Sequence, residues 1–182
     1  MQMIPRWLWP IALSILCTKF AIPPAANLYE GVNVKGEIQF KNSDLKHVEE
    51  ICDCENLKSL SFKKCEFVEL PVCLSLTSQL KTISFTKTNI QRLPNEIFEF
   101  QELQNLDLSF TNIVFLPENL YELSALKTLN LRETEIASLP EGLEFLESID
   151  MRMIDLNRSD QETIFAQYPE VKIFFSSPCQ CK

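Results

Sequence analysis

Apolar residues return along this chain at a fixed interval of 23 residues. Three segments, 80–94, 103–117 and 126–140, align without gaps: in each, the first, fourth, sixth, eleventh and fourteenth positions are apolar and the fifteenth is proline. The same template fits once more upstream, over residues 57–71, and weaker copies extend it at both ends. Self-similarity at a period of about 20–50 residues is typical of a solenoid of stacked repeats.

The fourth and sixth positions of the template predict a strand, because alternate residues of a strand point to the same side. The fourth position falls at Ile38, Leu60, Ile83, Leu106, Leu129, Ile149 and Val171, which predicts about seven strands. Ile97 with Phe100 and Leu120 with Leu123 are spaced three apart, as a short helix or 3-10 turn on the outer side requires. One repeat is too small to bury its apolar side alone, so neighbouring repeats must stack.

This pattern resembles the leucine-rich repeat motif, L-x-x-L-x-L-x-x-N-x-L, over about residues 36–175. The leucine-proline pair that closes each half repeat is similar to that of short bacterial, spirochaete-type exported members of the family and to that of the plant intracellular class. It is less similar to the vertebrate extracellular class. The resemblance implies an α/β solenoid, a horseshoe of about seven parallel concave strands with short helical or 3-10 outer arcs. It also implies a non-enzymatic protein that binds its partners on the concave face.

The ninth position departs from the family motif, in which asparagine bonds backbone groups in the turn after the strand. It is occupied by Cys65, Thr88, Thr111, Thr134 and Ile154. Threonine hydroxyls can replace asparagine in part, because they hydrogen-bond local backbone groups. Isoleucine cannot, so we expect a looser turn after the sixth strand.

Residues 1–26 predict a secretory signal peptide, because they combine a basic start, a short apolar run and small residues after it. Two processing sites stay open. Cutting after Ala26 gives a chain that begins at Asn27, whereas residues 14–17 resemble a degenerate lipoprotein box that would carry a lipid on Cys17. Only that lipid would tie the protein to a membrane. We therefore expect an exported protein, whether secreted, periplasmic or on the cell surface.

The remainder of the chain is expected to divide into three parts. These are an N-terminal cap with a degenerate first repeat (27–56), the leucine-rich repeats (57–156), and a last degenerate repeat with a C-terminal cap (157–182).

Composition and charge narrow the possible functions. The formal charge is −8, or −10 once residues 1–26 with Arg6 and Lys19 are removed, and such an acidic chain is a poor general binder of nucleic acid. One histidine, His47, and three glycines argue against most histidine-dependent catalysis and against glycine-rich phosphate loops. Repeats that reach about residue 175 leave no room for a separate catalytic domain. The sequence therefore predicts no enzymatic activity, no cofactor and no metal site.

The mature cysteines lie near the two ends of the predicted solenoid. Cys73 is about one repeat beyond Cys52, so a Cys52–Cys73 disulfide is plausible, with Cys54–Cys73 as the alternative. Cys65 is most simply a small buried residue. Cys179 and Cys181 pair locally, pair between molecules or stay reduced. A zinc site formed by His47 with Cys52, Cys54 and Cys65 matches no standard ligand spacing.

Lysines are concentrated on the strand positions that face outward in the N-terminal half of the chain. They are Lys41, Lys58, Lys63, Lys64, Lys81 and Lys87, whereas Glu96, Glu99, Glu102, Glu118, Glu122, Glu141 and Glu144 fall on the outer arcs. One interpretation is that these lysines only keep exposed strands soluble. The other is a basic strip that attracts an acidic protein or a sulfated glycan to the concave face.

Apolar side chains at the same outward positions suggest a protein-binding hot spot. Phe110 lies in the middle of the solenoid and is the strongest candidate, while Phe174 and Phe175 have the alternative of packing under a C-terminal cap. The candidate partner-binding residues are Phe110, Lys41, Lys63, Lys64, Lys87, Arg132 and Met153.

The sequence thus predicts an exported, non-enzymatic protein that binds another protein, such as a host or matrix component, through its concave face. The alternative is recognition of a sulfated glycan or another acidic ligand by the basic strip that these six N-terminal lysines form.

Overall fold

A computed structural model of the protein describes residues 36–41, 57–66, 70 and 79–176, together with the backbone of residues 29–30. Several sequence predictions lie outside these residues: the signal peptide with Cys17, the histidine His47, and the cysteines Cys52, Cys54, Cys73, Cys179 and Cys181. No helix among the described residues is long and apolar enough to cross a membrane.

The described residues form one eight-stranded sheet whose strands are adjacent in chain order. The strands are β1 (Tyr29–Glu30), β2 (Glu37–Lys41), β3 (Ser59–Lys63), β4 (Thr82–Ser84), β5 (Asn105–Asp107), β6 (Thr128–Asn130), β7 (Ser148–Met151) and β8 (Lys172–Phe175). Strands β2 to β8 are parallel, which confirms the predicted seven-stranded solenoid. Strand β1 was not predicted, and it pairs antiparallel with β2 through Tyr29 and Phe40.

The strand register follows the repeat template up to β7. The fourth positions form one row across the sheet, from Ile38 to Ile149, and the sixth positions form a second. The prediction for the last strand was wrong by two residues, because Ile149 pairs with Ile173 and not with Val171. The outer arc of the last repeat is a ten-residue helix, α1 (Arg158–Gln167), so the chain needs more residues before it re-enters the sheet.

The shift in register changes the positions of two phenylalanines. Phe174 pairs with Asp150 and points outward, with half of its side chain exposed. Phe175 pairs with the buried Met151, packs against the core and meets Phe165 of α1 edge-on at 5.0 Å. Phe175 is therefore not on the concave face, where the sequence had placed it.

The core lies between the sheet and the outer arcs and is filled by the repeated apolar positions. In the row formed by the sixth template positions, three nearly parallel rings stack. The centroids of Phe40 and Phe62 are 5.4 Å apart, and those of Phe62 and Phe85 are 5.5 Å apart. Leu108 and Leu131 continue the row, and neither is exposed. Because neighbouring repeats share every such contact, burial is a property of the stack and not of one repeat.

The outer arcs contain the predicted short helices. Residues Asn95–Glu99 and Glu118–Glu122 are 3-10 helices that bury Ile97 and Leu120. Helix α1 is longer and begins at a capping box, in which the Asn157 side chain accepts from the Asp160 amide at 3.0 Å and the Asp160 carboxylate accepts from the Asn157 amide at 3.2 Å.

Strands β3 to β7 are each followed by a turn whose eighth template position adopts a left-handed backbone conformation. The residues are Lys64, Lys87, Phe110, Glu133 and Met153, with φ between 53° and 62°. None is a glycine, although this region costs an ordinary residue about 1–2 kcal/mol. The ladder of hydrogen bonds between repeats continues through the turn, for example from the Phe110 amide to the Arg132 carbonyl at 2.8 Å.

Threonine hydroxyls at the ninth position hold these turns, as predicted. The hydroxyl of Thr111 donates to the Leu108 carbonyl at 2.6 Å, and Thr88 and Thr134 make the equivalent bonds at 2.8 and 2.7 Å. Cys65 is buried and its Sγ lies 3.5 Å from the Lys63 carbonyl. Before Ile154, Met153 keeps the left-handed conformation, so the turn retains its backbone shape; whether it is looser stays a prediction.

We expect the substitution Thr111→Val to lower the free energy of unfolding by about 1–2 kcal/mol, because it removes a buried donor from the Leu108 carbonyl at nearly constant volume. Urea unfolding followed by circular dichroism measures the loss. The matched control is Thr163→Val in α1, whose exposed hydroxyl bonds the Ser159 carbonyl and whose loss should cost under about 0.5 kcal/mol. Equal effects of the two variants would contradict the role given to Thr111.

Tyr168 connects the last repeat to the one before it. Its side chain is buried just after α1, its hydroxyl donates to the Pro140 carbonyl, and the Gln167 side-chain amide donates to the hydroxyl oxygen at 2.9 Å. Burial, helped by the carboxylates of Glu144, Glu141 and Glu118, raises the pKa of Tyr168 to about 12. The neutral phenol is therefore the form that the folded protein stabilises.

We expect Tyr168 to make the folded state sensitive to alkali. Because its pKa is raised in the folded state from an ordinary value of about 10, its contribution is complete below pH 10 and is lost as the pH rises to about 12. Tyr168→Phe should lower stability by about 1 kcal/mol at neutral pH and show a smaller further loss between pH 10 and 12. Urea midpoints across that range test this, with the exposed Tyr121→Phe as control; parallel curves for wild type and Tyr168→Phe would contradict it.

Candidate functional site

Phe110 lies on the concave face between cations from the two neighbouring repeats. Its ring is half-buried, the Lys87 Nζ is 4.6 Å from the ring centroid, and the Arg132 Cζ is 5.9 Å from it. Both distances are within the range of cation–π attraction. The left-handed turn places Phe110 directly after Lys87 in the eighth-position column, so the contact follows from the stacking of repeats.

Arg132 extends this contact to the next repeat. Its Nε and Nη2 lie 3.2 and 3.1 Å from the Met153 sulfur, and the Met153 side chain is about half exposed. Four of the seven predicted partner-binding residues thus form a continuous line across the sheet. We call this line the concave row: Lys87, Phe110, Arg132 and Met153.

The remaining three predicted residues lie at the N-terminal side of the concave row. Lys41 and Lys63 are register partners in β2 and β3, and Lys64 occupies the eighth position of the repeat before Lys87. The side chains of Lys63 and Lys64 are exposed, and that of Lys41 is half-exposed. We call the three residues Lys63, Lys64 and Lys87 the lysine strip; Lys87 belongs both to the strip and to the concave row.

Arg152 and Phe174 form a second cation–aromatic contact at the C-terminal end of the same face. Arg152 binds Asp150 through two nitrogens, at 2.9 Å and 2.6 Å, and its Cζ is 6.0 Å from the Phe174 ring centroid. The Arg152 guanidinium holds the pKa of Asp150 below its ordinary value. Sequence reasoning missed Arg152 as a site residue, although it follows Arg132 in the seventh-position column and could have been selected on that ground.

The acids and the amide at the fifth position have a structural role. The side-chain oxygens of Asp107, Asn130 and Asp150 each accept from the backbone amide two residues later, at 2.9, 3.1 and 3.1 Å. These bonds fix the end of each strand where the turn begins. Asp107 and Asp150 are therefore partly occupied by their own turns, and the exposed carboxylate of the eighth-position column is Glu133.

The concave face combines apolar and cationic side chains. Its aromatic rings lie within cation–π distance of lysine or arginine side chains, and the Arg132 guanidinium lies against the Met153 thioether. The glutamates predicted on the outer arcs lie there, most of them exposed. Within the described residues, no group of three histidine, cysteine or acidic side chains is arranged to hold a metal ion.

The chain matches one family profile and is similar to solved structures. A family profile described as leucine-rich repeat region matches residues 37–167. Among solved structures, the chain is similar to a leucine-rich repeat protein of Leptospira interrogans, with 21% identity and a TM-score of 0.46 over 70% of this chain and 27% of that one. It is also similar to a chain in the Drosophila Toll–Spatzle complex, with 21% identity and a TM-score of 0.44 over 61% of this chain and 18% of that one.

The chain therefore spans about a quarter or less of the length of these structural neighbours. Comparison with curated proteins gives no match.

Proposed function

Because this chain belongs to the leucine-rich repeat family, whose members generally provide non-enzymatic scaffolds for protein–protein binding, we propose that it binds a protein partner through its concave face. The observation that supports this is the concave row itself. It presents an aromatic ring, a thioether and two cations in the middle of the sheet.

Phe110 is the centre of the proposed contact. Aromatic residues that lie in the middle of a contact surface and have polar neighbours are frequent hot spots, because a partner can remove the exposed part of the ring from water. Lys87 and Arg132 favour one direction of the ring before any partner arrives, since each lies near it from a different repeat. A ring that is already ordered loses less conformational entropy on binding.

The central prediction is that Phe110→Ala lowers recovery of the partner at least tenfold, the loss expected from a hot-spot residue. The test is affinity capture with the immobilised full chain and quantitative mass spectrometry. The matched control is Phe115→Ala, which removes an equally large ring from a site away from the strands, where 62% of it is exposed. A protein whose recovery falls equally in both variants, or in neither, is not a concave-face partner, and finding only such proteins would contradict the proposal.

Thermal unfolding of the two variants provides the control for folding. Phe110 is half-buried, so Phe110→Leu is a useful second variant: it keeps most of the apolar volume and removes the ring that Lys87 and Arg132 contact. Reduced capture by a variant that unfolds like the wild type assigns the loss to the surface.

We further propose that the protein is exported and meets its partner outside the cytoplasm, as a host or matrix component. The support is the leader-like pattern of residues 1–26. Mass spectrometry of the mature N-terminus tests it: we expect either a chain that begins at Asn27 or one that begins at a lipid-modified Cys17. An intact chain that begins at Met1 would contradict export by this route.

A further inference from the structure

The lysine strip and Phe110 lie on one surface. The proposed protein binding does not specify which chemical groups of a partner this surface favours. Lys63, Lys64 and Lys87 are exposed, and none of the three forms an ion pair with a carboxylate of the described residues. The chain as a whole has a formal charge of −8. A local group of cations in an acidic protein attracts an acidic ligand to this one face.

We propose that the concave face binds an acidic α-helical segment of its protein partner, and this inference rests on the proposed function. The carboxylates of the segment contact the lysine strip, and the apolar side chain that follows them covers Phe110. The order of the eighth-position column supports this polarity. Along the solenoid it presents Lys64, Lys87, Phe110 and then Glu133, and all four residues share the same left-handed backbone conformation. A partner that complements this order presents two acidic side chains, then an apolar one, and no acid after that. Glu133 would repel a further acid and so limits the length of the partner's acidic surface.

The spacing of the column favours a helix over an extended peptide. Neighbouring strands are about 4.8 Å apart, so Lys64 to Phe110 is two steps, or about 10 Å. A helix laid along the solenoid axis presents one residue of the same face per turn of about 5.4 Å, or about 11 Å for two turns. An extended segment advances about 6.7 Å between residues of one face, or about 13 Å for two steps. The helix keeps its side chains over their partners, while the extended chain moves out of register.

The apolar part of the surface favours a protein over a sulfated glycan. A glycan would neutralise the lysine strip and would bring no large apolar side chain to Phe110. A helix with an apolar residue one turn beyond its acids uses both parts of the surface at once.

The test uses the full chain and defined probes. The first probe is a helical peptide of about 15 residues, built on alanine and glutamine, with glutamates at i and i+4 and leucine at i+7, so that all three lie on one face. The second has the same composition with these residues on three different faces. The third is a heparin oligosaccharide. Binding is measured by fluorescence anisotropy at about 50 and about 300 mM NaCl, which span weak and strong screening of surface charge.

We expect the first peptide to bind at least tenfold more tightly than the second, and to weaken at the higher salt concentration. The double variant Lys63→Glu, Lys64→Glu should weaken it at least tenfold, and Phe110→Ala should do the same. Glutamate is tolerated in this turn, since Glu133 adopts the same conformation with φ of 53°. The matched control is Arg92→Glu, Arg158→Glu, two exposed cations outside the strands, and its affinity should stay within twofold of the wild type.

Three results would overturn the inference: equal binding of the two peptides, binding of heparin but of neither peptide, and an unchanged affinity after reversal of Lys63 and Lys64. A different result would contradict the proposed function itself. A captured partner that depends on Phe110 but not on the lysines leaves the concave-face interaction standing and removes the acidic helix, whereas a partner that depends on neither removes both.

Discussion

No single repeat of this protein can bury its own apolar residues, and every other feature of the structure depends on that limit. The rows that run from Ile38 to Ile173 and from Phe40 to Met151 are buried only because each repeat covers the next. The same stacking fixes the distance between equivalent residues of consecutive repeats. A surface column is therefore as regular as the core beneath it, and the cation–aromatic contacts of the concave row are products of that regularity.

The sequence predicted the parts of the fold that repeat and missed the parts that do not. The period of 23 residues placed β3 to β6, the 3-10 arcs and the threonine bonds of the turns, because the same local physics acts in each copy. It misplaced β8 by two residues, since a capped helix beginning after Asn157 replaced the usual arc and used more chain. It missed β1 because a two-residue antiparallel strand has no counterpart in the repeat.

The candidate site shows the same division between features that the repeat predicts and features that it does not. The repeat spacing predicted one shared face for Lys87, Phe110, Arg132 and Met153, and the structure places them in contact or in adjacent repeats. It could not predict that the Arg132 guanidinium reaches the Met153 sulfur or that Arg152 is held by Asp150, because those contacts depend on side-chain rotamers. The backbone fixes which column a residue belongs to, and the side chains decide what that column can recognise.

The left-handed residue that follows each of the strands β3 to β7 has a consequence for how this surface can vary. Lysine, phenylalanine, glutamate and methionine all occupy it, so the turn accepts acidic, basic and apolar side chains at a similar backbone cost. Valine, isoleucine and threonine are disfavoured there, because branching at Cβ makes that conformation harder to reach. The eighth-position column is thus broad in the charge and polarity of its side chains and narrow in their shape. Substitutions in this column can change the charge and polarity of the concave face while the buried rows, and the stability they provide, stay as they are.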